Sequence, residues 1–211
     1  MVKASELLAV ATKQIGRRES PAGSNNVLYN TWYYGREVSG KGYPWCMVFV
    51  QWVFDQAKVA LPRRTASCGD QMRAAKTAGM WVTGSYEPGD VVIFDFSGGA
   101  ATDHCGIVES ADGEIVVTIE GNTGSSSDAD GGQVQRRERA LQYVVGAVRP
   151  VYQKEGTAMR YNTVQECPGW AQATIQKLVD KKHLNGNGEG LDLSADMVRL
   201  LVILDRAGAF K

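Results

Sequence analysis

The chain has 211 residues, of which 44% are hydrophobic and 22% are charged, a composition typical of a globular protein. Its 23 Lys and Arg residues balance 23 Asp and Glu residues, so the formal net charge is zero and binding to a polyanion is disfavoured. The length predicts one domain plus a small appendage, since a domain has about 150 residues. No stretch approaches the ~18 apolar residues of a membrane span, and we recognise no signal peptide, so synthesis in the cytoplasm is expected.

The N-terminal segment is predicted to form an amphipathic helix, because Leu7, Leu8, Ala11 and Ile15 recur at helical spacing. The following stretch, residues 19–44, is rich in glycine, asparagine and tyrosine. It is therefore predicted to be a long shaped loop of the kind that carries function.

A buried helix is predicted next, because residues 44–54 (PWCMVFVQWVF) are apolar over nearly their whole length. Pro44 suits the first helical position. Cys46 then lies in the first turn, where unpaired N–H groups and the helix dipole favour the thiolate over the thiol. Cys46 is thus a candidate nucleophile, although the helix alone is also compatible with a small buried hydrophobe at this position.

A catalytic thiol needs a base, and the chain has only two histidines. His183 lies beside two lysines in a solvated setting, whereas His104 opens an alternating run, HCGIVES, that is followed by a turn signal and a second run, EIVVTIE. These two runs predict a β-hairpin that carries His104.

The length of the hairpin loop decides which side chain faces His104. A two-residue turn would place His104 opposite Gly121, whereas a three-residue loop at 111–113, with Gly113 in a left-handed conformation, places it opposite Glu120. The three-residue loop separates apolar from polar residues better, so we predict that Glu120 orients His104 and that Asn122 returns to the same side as a second orienting group. A surface pair of small energetic worth is the alternative. Cys105 falls on the core side and is predicted to be structural.

The remaining chain is predicted to contain an exposed loop at 121–132, a strand at 143–148 and a domain boundary within 153–162. Two helices follow and form a hairpin that is too small to bury much surface alone. This hairpin should therefore dock on the first domain or on a second copy of the chain. The predicted domains are 1–153 and 154–211. The apolar positions of the two helices are Trp170, Ile175, Leu178 and Val179, then Met197, Leu200, Leu201 and Leu204.

The four cysteines form no CxxC pair, so neither a structural metal nor a disulfide framework is expected from them. Residues 185–196 approach an EF-hand loop, but Asn185 replaces the first Asp and Asp196 replaces the bidentate Glu. We therefore predict a Gly-rich connector there, with no metal and no cofactor in the protein.

These motifs together resemble the CHAP domain, the cysteine, histidine-dependent amidohydrolase/peptidase family. PWCMVFVQW around Cys46, the strand PGDVVIFDF, then DHCGIVES and IEGN occur in the family's order and spacing, over roughly residues 6–152. The resemblance implies an α+β, papain-like fold with helices packed on an antiparallel sheet. It also implies Cys46 as nucleophile, His104 as base, Glu120 and Asn122 as polar partners, and hydrolysis of peptidoglycan amide bonds.

The C-terminal segment, residues 161–210, resembles a single S-layer-homology-like repeat of the kind found in some phage-type endolysins. Asp196-Met197-Val198-Arg199 stands where that family has its polymer-binding motif, so binding of a wall polymer and self-association both stay open.

The expected activity is that of an N-acetylmuramoyl-L-alanine amidase or a peptide endopeptidase, acting at the bacterial cell wall after release, with peptidoglycan as partner. Trp45, Tyr33 and Tyr34 are predicted to line the substrate groove. Two alternatives remain: a non-catalytic wall-binding module, and a thiol amidase that acts on a soluble amide.

Overall fold

The computed structural model describes residues 2–99, 101–124, 131–153 and 160–210. The chain divides into two compact units, Met1–Gln153 and Lys154–Lys211. Of the exposed loop predicted at 121–132, residues 125–130 lie outside the described part of the chain.

The first unit is built on a six-stranded antiparallel sheet with strand order β1-β6-β2-β3-β4-β5. Its apolar residues fill two cores, one between the sheet and the helices and a smaller one on the opposite face. The predicted α+β architecture, with helices packed on an antiparallel sheet, is confirmed. The elements are α1 Ala4–Thr12, α2 Leu28–Tyr34, α3 Cys46–Ala57, α4 Cys68–Thr77, β1 Trp81–Val82, β2 Val91–Phe94, β3 His104–Ala111, β4 Ile115–Thr123, β5 Gln133–Ala140 and β6 Val144–Val148.

Helix α3 is the central helix of this unit and packs against β3 and β4. Its residues are buried nearly all round, as the apolar run predicted. The helix begins at Cys46 with Trp45 as N-cap, so Pro44 precedes the helix and does not occupy its first position. At Gly121 on β4, a Cβ atom would lie 2.5 Å from Cβ of Phe49, so the glycine lets the strand approach the helix closely.

The N-terminal region differs from the prediction in two places. Helix α1 is present and buries Leu7 and Ala11, but it ends before Ile15, which is exposed. The loop predicted over residues 19–44 contains α2, whose C-terminus is marked by Gly35 in the left-handed conformation at φ 70°. Pattern reading missed this helix because it is shorter than the length at which helical periodicity becomes recognisable.

The β3–β4 hairpin is present, but its register differs from the predicted one. Ala111 pairs with Val116, and a bulge at Glu109 shifts the register so that Ile107 pairs with Ile119. The turn is tightened by the carboxylate of Asp112, which accepts the N–H groups of Glu114 and Ile115 at 2.8 Å. Gly113 is not left-handed, so the predicted three-residue loop at 111–113 is wrong.

The second unit contains α5 (Gly169–Asp180), α6 (Ala195–Arg206) and a short antiparallel pair, β7 (Arg160–Tyr161) with β8 (Leu193–Ser194). The two helices were predicted, and the strand pair is additional. Ile175 and Leu178 are buried as predicted, whereas α6 buries Val198 and Val202 and leaves Met197, Leu200 and Ile203 exposed.

Within the described residues, no helix is both long and apolar enough to cross a membrane.

Candidate active site

Cys46 is the first residue of α3 and is 7% exposed. The first N–H groups of a helix have no acceptor within the helix, so they and the positive end of the helix dipole lie beside the cysteine backbone. The start of the helix is fixed by the N-capping Trp45, which is anchored in the core, where its ring stacks on Tyr29 with centroids 5.5 Å apart.

His104 opens β3 and is fully buried. Its Nε2 lies 3.0 Å from Oε2 of Glu120 on β4. Nδ1 is buried and forms no hydrogen bond to a nitrogen or oxygen of the described residues. The thiol of Cys46 interacts with the imidazole ring. The imidazole therefore lies between the thiol of Cys46 and the carboxylate of Glu120.

The space for the Glu120 side chain comes from Gly106 on the neighbouring strand. A Cβ at this position would lie 2.8 Å from Cγ of Glu120 and 3.0 Å from Cβ of Thr118. The missing side chain lets the carboxylate lie flat across β3 and reach the imidazole.

Two further side chains fix the carboxylate of Glu120. The guanidinium of Arg139 donates to Oε1 at 2.9 Å and to Oε2 at 2.6 Å, and Thr118 Oγ1 donates to Oε1 at 2.6 Å. Arg139 is 6% exposed, so this is a buried ion pair in a two-pronged geometry. Glu120 is thus held between a permanent cation and the histidine.

Charge in this network sets the protonation states of its members. Burial raises the pKa of Glu120, but the hydrogen bonds from Arg139 and His104 outweigh it and lower the pKa to about 2. Burial lowers the pKa of His104, but interactions with Cys46 and Glu120 outweigh it and raise the pKa to about 9. The geometry therefore favours an imidazolium beside an ionised carboxylate near neutral pH.

Three thiols meet at Cys46. The sulfur atoms of Cys46, Cys68 and Cys105 all lie within 4.8 Å of one another, and all three residues are buried. Hydrogen bonds from Cys105 and Cys68 lower the pKa of Cys46 well below its usual value. Burial raises this pKa and so opposes the shift, whereas His104 lowers it further. Burial and the nearby sulfur of Cys46 raise the pKa of Cys105, so it acts as a donor. The arrangement favours Cys46 as the thiolate of the cluster.

Asn122, the second predicted orienting residue, is fully buried near the end of β4. Its backbone is left-handed at φ 55°, at the point where the pairing of β4 with β5 shifts register. It lies two residues beyond Glu120 in the same strand.

The three residues predicted to line a substrate groove differ in their surroundings. Trp45 is fully buried in the core, where its ring anchors the start of α3. Tyr33 and Tyr34 are half-buried on α2, with ring centroids 5.0 Å apart.

The loop that resembles an EF-hand is organised by its own backbone. Oδ1 of Asn187 accepts the N–H groups of Glu189 and Gly190, at 3.0 and 3.1 Å. These bonds are those of a Gly-rich turn.

Sequence reasoning missed four contributors to the site: Arg139, Thr118, Cys68 and the proximity of Cys105. A buried carboxylate requires a cationic partner, so the run QVQRRERA after Glu120 was a usable signal for an arginine. The convergence of Cys68 with Cys46 left no signal, because the cysteines are far apart in sequence.

Residues 38–122 match the family model described as the CHAP domain. The matched segment contains Cys46, His104, Glu120 and Asn122, together with the other two cysteines of the cluster. A search of curated proteins finds no match to the chain.

Similar solved structures include "Crystal structure of a wild type endolysin LysIME-EF1", at 18% identity and a TM-score of 0.44, which covers 73% of this chain and 67% of that chain. "The crystal structure of Ly7917" aligns at 17% identity and a TM-score of 0.42, with 71% and 63% covered. Ly7917 "with the hydrolyzing product of MDP" aligns at 17% identity and a TM-score of 0.41, with 76% and 66% covered. The chain thus spans about two thirds of the length of these structures.

Proposed function

We propose that this protein is a cysteine-dependent peptidoglycan hydrolase of the endolysin type, which cleaves an amide bond of the bacterial cell wall. The observation that carries the proposal is the buried Cys46, His104 and Glu120 array at the start of α3, within the segment that matches the CHAP domain. A module that only binds the wall has no need of a raised histidine pKa or of an ionised carboxylate buried behind it.

In the first half of the reaction, the Cys46 thiolate attacks the carbonyl carbon of the amide. The carbon–nitrogen bond breaks, the imidazolium of His104 gives its proton to the leaving amine, and a thioester remains on Cys46. The N–H of Cys46 at the helix start is the natural donor to the oxyanion.

In the second half, His104 takes a proton from water, which attacks the thioester carbonyl. The carbon–sulfur bond breaks and releases a carboxylic acid and the thiolate. Glu120 holds the imidazole in one orientation and stabilises its cationic form throughout, while Asn122 supports the same strand.

The substrate groove is assigned to the face of the site near Tyr33 and Tyr34, and the scissile bond is either the muramoyl-alanine amide or a peptide bond of the stem or cross-bridge. The domain roles are 1–153 for catalysis and 154–211 for binding a wall polymer or a second copy. The enzyme acts at the cell wall after release from the cytoplasm.

The experiment is mass spectrometry of the fragments that purified peptidoglycan releases with wild type, Cys46→Ala and Cys167→Ala. Wild type and Cys167→Ala should release the same fragments, since Cys167 belongs to the second unit. Cys46→Ala should release none and should keep the circular dichroism of the wild type.

Each outcome has a distinct meaning. New alanine amino termini with intact glycan identify an amidase, and new termini within the peptide identify an endopeptidase. Release by Cys46→Ala contradicts the thiol mechanism. Absence of release from walls of several species, with a reactive Cys46, favours a soluble amide substrate or a binding module.

A further inference from the structure

The cluster of three thiols at the active site exceeds what a single nucleophile requires. Cys46 comes from α3, Cys68 from the first position of α4, and Cys105 from β3, so three separate elements converge on one point. Their sulfur atoms lie within 4.8 Å of one another.

The spacing suits a tetrahedral thiolate site. Zinc–sulfur bonds of about 2.3 Å place neighbouring sulfur atoms roughly 3.8 Å apart, so the thiols need to approach by about 1 Å at most. Side-chain rotation at cysteine suffices for such a movement.

His104 is the candidate for a fourth donor: its ring interacts with the thiol of Cys46, although the set of mutually close donor atoms consists of the three sulfurs and does not include the imidazole. Its Nδ1 is buried without a nitrogen or oxygen partner, and its other nitrogen faces Glu120 at 3.0 Å. Histidines that bind metals typically donate the second ring N–H to a carboxylate, which fixes the tautomer and makes the ligand more basic. The Glu120 and Arg139 pair supplies such a support.

Charge also fits a bound dication. Three thiolates and one divalent ion leave a net charge of about −1, and the site lies at the N-termini of two helices, α3 and α4. The positive ends of the helix dipoles stabilise this excess negative charge, while soft sulfur ligands select a thiophilic ion over calcium or magnesium.

We propose that Cys46, Cys68, Cys105 and His104 bind one thiophilic divalent cation, such as Zn²⁺, and that the bound ion holds the enzyme in a latent form. Coordination engages the sulfur lone pair of Cys46 and Nδ1 of His104, so neither is available for the reaction. The latent form rests on the proposed function, whereas the binding of the ion does not.

The test is a titration of the reduced full-length protein with Co²⁺ and Zn²⁺ without oxygen. A cobalt–thiolate absorption band should saturate at one ion per chain, and Zn²⁺ should displace it. Calorimetry in buffers of different ionisation enthalpy should register about three protons released, from Cys68, Cys105 and His104.

Variants locate the site. Cys68→Ala and Cys105→Ala should weaken Co²⁺ binding at least about tenfold. Cys167→Ala, which removes a buried thiol of the second unit, should bind as the wild type does. Unchanged binding in both cluster variants, or binding lost in Cys167→Ala, overturns the proposal.

X-ray absorption of the zinc-loaded wild type provides a readout that needs no variant to fold. About three sulfur neighbours and one nitrogen support the proposed site, and a single sulfur neighbour contradicts it. Release of peptidoglycan fragments, measured with and without a chelator, tests latency alone: bound ion with unchanged release refutes latency and leaves the cation site intact.

Discussion

At the scale of single residues, the buried charges around His104 should set the pH range of the proposed activity. The proposed mechanism requires the Cys46 thiolate and the His104 imidazolium together, so kcat/KM should fall at alkaline pH as His104 loses its proton near 9. Glu120 raises this pKa because its negative charge stabilises the imidazolium. Removing the carboxylate should therefore move the alkaline limb to lower pH.

The double variant Glu120→Gln/Arg139→Gln tests this, since it removes both buried charges and leaves neither one alone. Its kcat/KM should fall by roughly 10²-fold and its alkaline limb should shift to lower pH. Glu109→Gln/Arg136→Gln is the control, because it removes a more exposed Glu–Arg pair that joins β3 to β5 in the same sheet, and its profile should follow that of the wild type. An unchanged limb in the Glu120 variant would contradict the orienting role.

The two thiols next to Cys46 should set the acid limb of the kcat/KM profile against pH. Hydrogen bonds from Cys105 and Cys68 lower the pKa of Cys46, so Cys105→Ala should raise that pKa and move the acid limb of kcat/KM to higher pH. The rate of alkylation of Cys46 by iodoacetamide against pH measures the same pKa directly. Cys167→Ala should leave both curves in place, and an acid limb that stays fixed in Cys105→Ala would show that the donor is unimportant.

Several residues of the site could be predicted from the sequence because each prediction needed only local information. A cysteine at the start of an apolar helix and a histidine at the start of an alternating strand are visible within about ten residues. Arg139 was missed because its partner, Glu120, lies on the neighbouring strand. Which residues of β4 and β5 meet depends on the register of the two strands, and no local sequence pattern fixes that register.

At the scale of elements, the site depends on how closely α3 approaches β4. A Cβ at Gly121 would lie 2.5 Å from Phe49 Cβ and 2.9 Å from Trp45 Cζ3. Gly121→Ala should therefore separate helix from strand, lower the free energy of unfolding by about 1–3 kcal/mol and reduce kcat/KM. Urea denaturation and the fragment assay measure the two effects.

Gly113→Ala is the control for that experiment, since a Cβ there meets nothing within 4 Å and the backbone is not left-handed. It should change stability by less than about 1 kcal/mol. Equal losses in the two variants would show that the close approach at Gly121 contributes nothing special to the fold.

The β3–β4 hairpin illustrates which errors in sequence reasoning matter. The predicted register was wrong by two residues near the site, so Glu120 lies diagonal to His104 and not directly opposite it. An error of two residues keeps every side chain on its own face, because side chains alternate along a strand. The predicted contact between His104 and Glu120 therefore agrees with the structure despite the wrong loop, whereas an error of one residue would have lost it.

At the scale of the whole molecule, the second unit has an apolar stripe on α6 that its own core does not use. Leu200 and Ile203 are 56% and 63% exposed, beside the exposed Met197, whereas the core contacts of the helix come from Val198 and Val202. Of the apolar positions that the sequence indicated for α6, Leu201 packs against the core, whereas Met197 and Leu200 are exposed, because the helix carries apolar residues on two faces and sequence cannot rank them.

This stripe leads to the prediction that the full chain self-associates through α6. Sedimentation velocity at rising concentration should give a growing fraction of dimer, because burying the stripe removes apolar surface from water at about 25 cal/mol per Å². Leu200→Lys/Ile203→Lys should stay monomeric and should keep its circular dichroism, since neither residue belongs to the core of the unit.

The matched control is Ala173→Lys/Gln176→Lys, which adds the same two charges at exposed positions of α5. It should associate as the wild type does if the α6 stripe is the interface. A wild type that remains monomeric at all concentrations would contradict self-association through α6.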